Sequence, residues 1–477
     1  MPRPVRLLVV WLLLAGLAAC DGGDDPGVDV LRTPLGRPTD SESLVVGLVG
    51  TMTGPEAWRG EDAFEGADLA IHELNATIPP GSPPFRLTRL DDQGDPATAL
   101  SSLQRLASLE NLVGVIYAGP PGALAKAEPA LAARGVPGVL LYGDLYSARK
   151  LTAHLFQVSP PVLWQARRIV DYLGRDRGYR RFGALVRRSS LGRTAARSLR
   201  TSAPGSLRGP KVVRYDPADL GPALDALKRA HTEAVVVEGS PADFSAVVAE
   251  LEGMGAVYST TDAARISSAP RRIARARRES DWWAPQLVFF DLGFSARAGT
   301  RPPPGTVVAE TYARGAYYLP VPSFQRFRVA FREWWDGERP LGWQNRAYEA
   351  ARMIGWAVDQ TGAGEDIART LEELGGERFG SLDVSFGPDD HTAVEAATVG
   401  LWVVPRPDAA IREAGRLPED LPWVPLARGF SIDGETIDIL PEDWSHLVRN
   451  PPPEGAPPPA FSRLKFGIRS GPRDPVH

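Results

Sequence analysis

A chain of 477 residues, 43% of them hydrophobic and 23% charged, exceeds the roughly 100 to 200 residues of a usual domain and excludes a single small one. A net charge of −4 and a pI near 6.0 give no overall field for a polyanion, so nucleic acid is not an expected partner. The composition predicts two lobes with an appendage.

The chain opens with Arg3 and Arg6 before an apolar run, Leu7 to Ala19, too short to span a bilayer at about 1.5 Å per residue. Residues 1–19 therefore read as a signal peptide. The run ends Leu17-Ala18-Ala19-Cys20 and turns polar at Asp21, which resembles the bacterial lipobox. Cleavage before Cys20 and lipidation of its thiol are implied, with the lipid as membrane anchor. The alternative is an ordinary secretory signal with an incidental cysteine. Cys20 is the only cysteine, so no disulfide is expected and the fold must rest on its core. Residues 20–42, rich in Gly, Asp, Pro and Ser, read as a disordered tether.

Order is expected from Leu44. Val45 to Val49 is a β-branched apolar run of the kind buried on both faces of a parallel sheet. The loop Thr51 to Gly60, a helix through Asn75 and a strand Phe85 to Leu90 complete a βαβ unit. The pattern then alternates: helix Pro96 to Leu109, strand Val113 to Tyr117, helix Gly122 to Arg134, strand Pro137 to Tyr142. After Pro160 and Pro161 it restarts with helix Leu163 to Leu173 and strand Phe182 to Val186. Helix Arg193 to Leu199, strand Lys211 to Tyr215, helix Leu220 to Arg229, strand Ala234 to Val237, helix Ala242 to Met254 and strand Leu287 to Phe290 follow. Strands separated by helices of this length make right-handed βαβ crossovers. The insert Tyr258 to Ser280, with Arg271, Arg272, Arg275, Arg277 and Arg278, reads as a surface loop or solvated helix, lacking the aromatics that would stack bases. Val307 to Tyr318 looks extended; Phe324 to Trp335, Asn345 to Thr361 and Ile367 to Leu374 helical. Strands Leu382 to Phe386 and Thr398 to Val404 flank a turn at Gly387-Pro388-Asp389-Asp390-His391. Beyond Pro405 runs such as Pro451-Pro452-Pro453 favour an extended polyproline tail with partial docking through Trp423, Phe430 and Trp444.

Taken together, GLVGTMTGPEAWRG, HELNA, LDDQGDPATA, VGVIYAGPPGALAKAEPALAARGVP and AYEAARMIGWAVDQTG, in this order from Leu44 to Pro405, resemble the type I periplasmic binding proteins, in particular the branched-chain amino acid binding group of ABC transporters. The resemblance implies an α/β fold of two doubly wound, Rossmann-like lobes joined by three hinge crossovers. Lobe 1 is expected at residues 43–160 and 317–376, lobe 2 at 161–316 and 377–404, with a Pro-rich extension at 405–477. It further implies a ligand held between the lobes, its carboxylate by hydroxyls and backbone N–H groups at a helix start and its ammonium by acidic side chains.

Carried over by position, Trp58 is implied to cover the ligand's side chain, Gly122 and Ala123 to offer backbone N–H groups, Tyr146 a backbone acceptor and Ser147 a hydroxyl. Asp291 stands at the family's acidic position, Ser240 near its tyrosine, and Val162 where the family often has an aspartate. Other roles are open for three of them: Trp58 packed on its own lobe, Asp291 as a cap, Ser147 as a turn hydroxyl. The implied function is a lipid-anchored, extracytoplasmic solute-binding protein serving an ABC permease, monomeric, with no cofactor. The rival is a sensing or structural lipoprotein whose tail engages a protein partner. The chain carries no GxSxG, HExxH, CxxC or GxxxxGK[ST] element, so an enzyme is not expected. Asp389, Asp390 and His391 fit a β-turn better than a metal site, and Asp91, Asp92 and Asp95 read as a solvated loop.

Overall fold

The computed structural model describes residues 29–30, 43–145, 153–203, 208–254, 283, 285–290, 306–311, 322–336, 342–363, 366–380, 383–393, 399–403, 424–425, 430–432, 435–438 and 467–469. The signal segment, Cys20, the Arg-rich insert, Tyr146, Ser147, Asp291, the proline runs, Trp423 and Trp444 lie outside them.

The first sheet contains β1 (Asp29–Val30), β2 (Leu44–Gly50), β3 (Phe85–Asp91), β4 (Leu112–Tyr117), β5 (Gly138–Leu140) and β6 (Leu155–Gln157) in the order β1-β3-β2-β4-β5-β6. All pairs are parallel except β1 with β3. Val45, Val46, Leu48 and Val49 have no exposed surface, because successive strand residues point to opposite faces and both faces are covered. Val46 and Leu48 meet α1 (Trp58–Thr77) and, from much later in the chain, α8 (Pro322–Trp334) and α9 (Gly342–Thr361). Val45 and Val49 meet α2 (Pro96–Ala107) and α3 (Pro121–Ala132). Helix α1 stops before Pro79-Pro80. Its Asn75 then fixes the return, taking the N–H of Phe85 on Oδ1 at 2.7 Å and giving Nδ2–H to the Phe85 carbonyl at 2.9 Å.

The second sheet repeats the plan. Strands β7 (Arg181–Arg187), β8 (Arg208–Tyr215), β9 (Ala234–Glu238), β10 (Gln286–Phe289) and β11 (Val307–Thr311) run parallel in the order β8-β7-β9-β10-β11. Helices α4 (Val162–Asp171) and α5 (Ser190–Ser202) cover one face; α6 (Leu220–Arg229) and α7 (Pro241–Gly253) cover the other. In both sheets the parallel strands follow the order second, first, third, fourth, fifth, so each is doubly wound with its switch point beside its first strand. The expected fold class is present.

The third crossover falls later than the expected boundary at residues 376 and 377. After α10 (Ile367–Leu371), the hairpin of β12 (Gly375–Arg378) and β13 (Asp383–Ser385) stays with the first lobe, where Val384 and Ala393 are buried. The following segment lies along β6: Gln157 gives its N–H to the His391 carbonyl at 2.9 Å, and Ala393 gives its own to the Gln157 carbonyl at 2.8 Å. Passage to the second lobe therefore occurs between Ala393 and β14 (Val399–Val403), which pairs antiparallel with β11. β15 (Val424–Pro425) extends that edge. In the tail, β16 (Phe430–Ile432), β17 (Glu435–Asp438) and β18 (Gly467–Arg469) form an antiparallel sheet. Among the described residues no helix is long and apolar enough to cross a membrane.

Candidate ligand-binding cleft

In open α/β sheets ligands bind beyond the carboxyl ends of the strands, beside the switch point. In the first lobe these ends are built around two aspartates. Asp91 accepts hydrogen bonds from Met52 N–H at 2.8 Å and Thr53 Oγ1 at 2.6 Å; Asp92 accepts from Thr51 Oγ1 at 2.8 Å and Gly94 N–H at 2.9 Å. Burial pushes the Asp92 carboxyl above its ordinary range. Burial also acts on Asp91, but the donors from Thr53, Met52 and Gln93 outweigh it and hold that carboxyl low. The expected solvated loop is thus a splint that fixes residues 51–53, while Asp95 caps α2 through Thr98 N–H at 2.7 Å.

The expected loop Thr51 to Gly60 ends early, because α1 begins at Trp58. Trp58 is only 5% exposed and meets Trp343 edge-on with ring centroids 5.6 Å apart. Tyr142 packs on the same Trp343 at 5.4 Å, and Tyr142 is the ring that lines the cleft. The Arg59 guanidinium bridges the group, 5.4 Å from the Trp58 ring and 5.2 Å from Tyr142. Gly122 and Ala123 lie in the first turn of α3, which starts at Pro121 without a side-chain cap. Gly122 is exposed and has open space where a Cβ would stand, so the helix start remains approachable.

Between the lobes is a recess with about 320 Å³ of empty space, counted out into open solvent. Tyr142, Gly143 and Ser159 form its first-lobe wall; Val162, Gln165, Leu191, Glu238 and Phe290 form the other. The crossing between the walls is tied by Ser159 Oγ–H to the Gly143 carbonyl at 2.9 Å and Val162 N–H to Asp144 Oδ2 at 3.1 Å. Val162 occupies the first turn of α4, and its backbone is held by an acid from the first lobe.

At the second switch point, Ser240 caps α7: its Oγ accepts the Asp243 N–H at 3.3 Å and its N–H reaches Asp243 Oδ2 at 2.6 Å. Asp243 also takes both arms of Arg187, Nε at 2.5 Å and Nη2 at 2.8 Å. Beside this pair Glu238, 4% exposed, accepts Arg187 N–H on Oε2 at 2.9 Å, and Tyr215 O–H donates to its backbone carbonyl at 3.0 Å. Burial is the main cause raising the Glu238 carboxyl to about 7. Sequence comparison by position passes over Glu238. The signal was present in Val235-Val236-Val237-Glu238, an acid at the carboxyl end of a buried strand next to the switch point.

The Gly387 to Asp390 bridge closes the turn, and His391 is buried against Phe156 with ring centroids 4.5 Å apart. Among the described residues no group of three His, Cys, Asp or Glu side chains has the arrangement of a metal site.

A family model described as "Periplasmic binding protein" matches residues 43–404. The chain belongs to the periplasmic binding protein family. Among curated proteins it is 25% identical over 221 residues to the Leu/Ile/Val-binding protein of Escherichia coli K12, covering 44% of this chain and 52% of that one. The match thus spans about half the length of that relative. A periplasmic binding protein type 1 from Bordetella pertussis superposes with a TM-score of 0.63 at 16% identity, covering 77% of this chain and 98% of that one. The branched-chain amino acid transporter substrate-binding protein LivJ of Streptococcus pneumoniae, in complex with isoleucine, gives 0.61 at 18% identity with coverages of 76% and 96%. An ABC transporter solute-binding protein from Rhodopseudomonas palustris, in complex with 3,4-dihydroxybenzoic acid, gives 0.58 at 17% identity with coverages of 76% and 94%. These likenesses show the type I periplasmic binding protein fold, and membership of the family carries an extracytoplasmic location with it.

Proposed function

We propose that this periplasmic binding protein captures a small solute, an amino acid or related compound, between its lobes and delivers it to an ABC permease. In this reading it is a monomer without a cofactor, exported by residues 1–19 and held at the outer face of the cell membrane by lipid on Cys20. The observation that carries the proposal is the recess shared by both lobes, at the carboxyl ends of two sheets of identical strand order. A solute touching both walls favours the closed arrangement by the contacts it gains only there. Tyr142 and Phe290 supply apolar walls, the α3 start at Gly122 and Ala123 a place for an anionic group, and Trp58 backs the aromatic wall through Trp343. By the family resemblance Tyr146, Ser147, Ser240 and Asp291 remain candidates for contact with the solute.

Thermal-shift screening of the full chain against amino acids, short peptides, amides and aromatic acids tests this. A true solute at 100 times its Kd adds about 2.7 kcal/mol and raises the melting temperature accordingly. No shift across the panel refutes solute capture. The tail sheet β16–β18 lies beyond the family match, which ends at residue 404; it supports the second reading, a sensing or structural lipoprotein with a protein partner.

A further inference from the structure

The helices on the two faces of the second sheet carry opposite charge. On α4 and α5 five arginines, Arg167, Arg168, Arg193, Arg197 and Arg200, stand against one acid, Asp171, and Asp171 is taken by Arg175 at 3.4 Å. On α6 and α7 four acids, Asp225, Asp243, Glu250 and Glu252, stand against Lys228 and Arg229. Arg168 is used inside the fold, its Nε–H donating to the Val399 carbonyl at 2.9 Å. The other four arginines are exposed, and none of their guanidinium groups makes a hydrogen bond or ion pair among the described residues.

On α5 the spacing is regular. Arg193, Arg197 and Arg200 are separated by four and then three positions, which lines them up along one side of the helix over about 10 Å, while Ala195, Ala196 and Leu199 pack into the core beneath. Like charges so placed repel one another, and α5 holds no acid to relieve them. Ser190 and Thr201 complete the exposed residues of α5, so it offers no apolar side chain to a partner. A protein interface takes apolar or aromatic anchors at its centre. A layer of phosphates needs only cations, and guanidinium groups match phosphate by paired hydrogen bonds.

The N-terminal segment bears on where such a layer stands. β1 lies within the stretch expected as a tether, and its pairing with β3 sets Asp29 opposite Arg89. Cys20 is nine positions earlier, a reach of about 30 Å at full extension. With lipid on Cys20 the folded part stays close to the bilayer, where weak surface contacts act at high effective concentration.

We propose that the α4/α5 face of the second lobe rests on the anionic headgroups of the membrane that bears the anchor, with Arg193, Arg197 and Arg200 as its principal contacts and Arg167 beside them. The inference rests on the anchored, extracytoplasmic reading of the chain and not on solute capture. The acyl chains supply the attachment and the arginines the orientation, with the acidic α6/α7 face turned away from the bilayer.

Energy transfer from a dye on the full, acylated chain to acceptor-labelled lipid tests this. Cys20 is the only cysteine, so with its thiol acylated a dye goes only to an engineered one, Thr201→Cys on α5 or Glu252→Cys on α7, both at exposed positions. The α5 dye is expected to transfer more strongly in equimolar phosphatidylcholine–phosphatidylglycerol vesicles than in phosphatidylcholine alone, and the α7 dye not to gain. Raising salt from about 0.05 M to about 0.5 M shortens the screening length roughly threefold and should remove most of the gain. Arg193→Glu, Arg197→Glu and Arg200→Glu together should abolish it, while flotation with vesicles and the melting temperature stay as in wild type. Equal transfer in the two vesicle types, or a gain that survives high salt or the charge reversal, overturns the contact. If the reversed variant does not fold, the wild-type salt series decides. Mass spectrometry reads the anchor separately: a chain without acyl groups on Cys20 refutes anchoring, its flotation on the anionic vesicles alone still upholds the face, and equal behaviour on both vesicle types overturns the face too.

Discussion

Trp58 and Glu238 divide what one residue's neighbours in sequence disclose from what they hide. An aromatic in a glycine-rich loop after a first strand suggested ligand contact, yet the helix starts at Trp58 and turns the ring onto Trp343. Trp58→Ala should therefore cost about 3 kcal/mol of stability in the ligand-free chain, as buried large-to-small changes do; urea denaturation measures it, and an unchanged midpoint would return Trp58 to the cleft. The partner ring, some 285 positions away in the chain, could not be read from the local pattern. Glu238 was legible as a residue but not as a buried carboxyl in a charged cluster, because Arg187, Asp243 and Tyr215 come together beside it only through the strand order. Its raised carboxyl also sets a slope in stability. Between the unfolded value of 4.5 and about 7 in the fold, the native state binds the extra proton, so stability falls as pH rises through that window. The ceiling is roughly 3 kcal/mol at 1.36 kcal/mol per unit. Glu238→Gln should lose this component, seen as a smaller difference between denaturation midpoints at pH 5 and pH 7.5.

Among elements, the contact of α1 with α9 ties the two distant halves of the first lobe together. Gln344 Nε2–H donates to Asp62 at 2.9 Å, Tyr348 O–H to Glu73 at 2.5 Å, and Trp334 Nε1–H, from α8, to Asp68 at 3.0 Å. Close approach is permitted by Gly66, where a Cβ would stand 1.8 Å from the Gln344 carbonyl oxygen. Gly66→Ala must push the helices apart and should lower stability by about 2 kcal/mol, at the usual scale of overpacking; a calorimetric melting temperature equal to wild type contradicts that crossing. The strands and helices themselves were largely visible in the sequence, since continuous Val and Leu runs and amphipathic periods fix element type locally. Helix Leu220–Arg229 was read to the residue. The three-residue strand β6 was missed because so short a segment shows no period. The third crossover was misplaced because the pairing of Gln157 with Thr392 is a long-range contact with no trace in either local sequence.

For the whole molecule, the lobes keep separate cores, and Leu191 is a point where they touch: it starts on α5, packs in the second lobe, and also meets the first lobe's core. Contacts made only on closure set how far a solute shifts the population. Leu191→Ala should thus weaken the solute found by thermal screening about fivefold, near 1 kcal/mol, while ligand-free melting changes little; a large ligand-free loss would assign the contact to folding instead. The identical strand order of the two sheets has a further result. By that order β9 in one lobe corresponds to β4 in the other, so Glu238 stands where the first lobe has Tyr117, and Arg187 where it has Gly50. Positions equivalent by strand order thus carry unlike chemistry. A solute entering such a cleft is read head from tail: its two ends are not interchangeable, and a molecule with the same groups in mirrored sequence should be turned away.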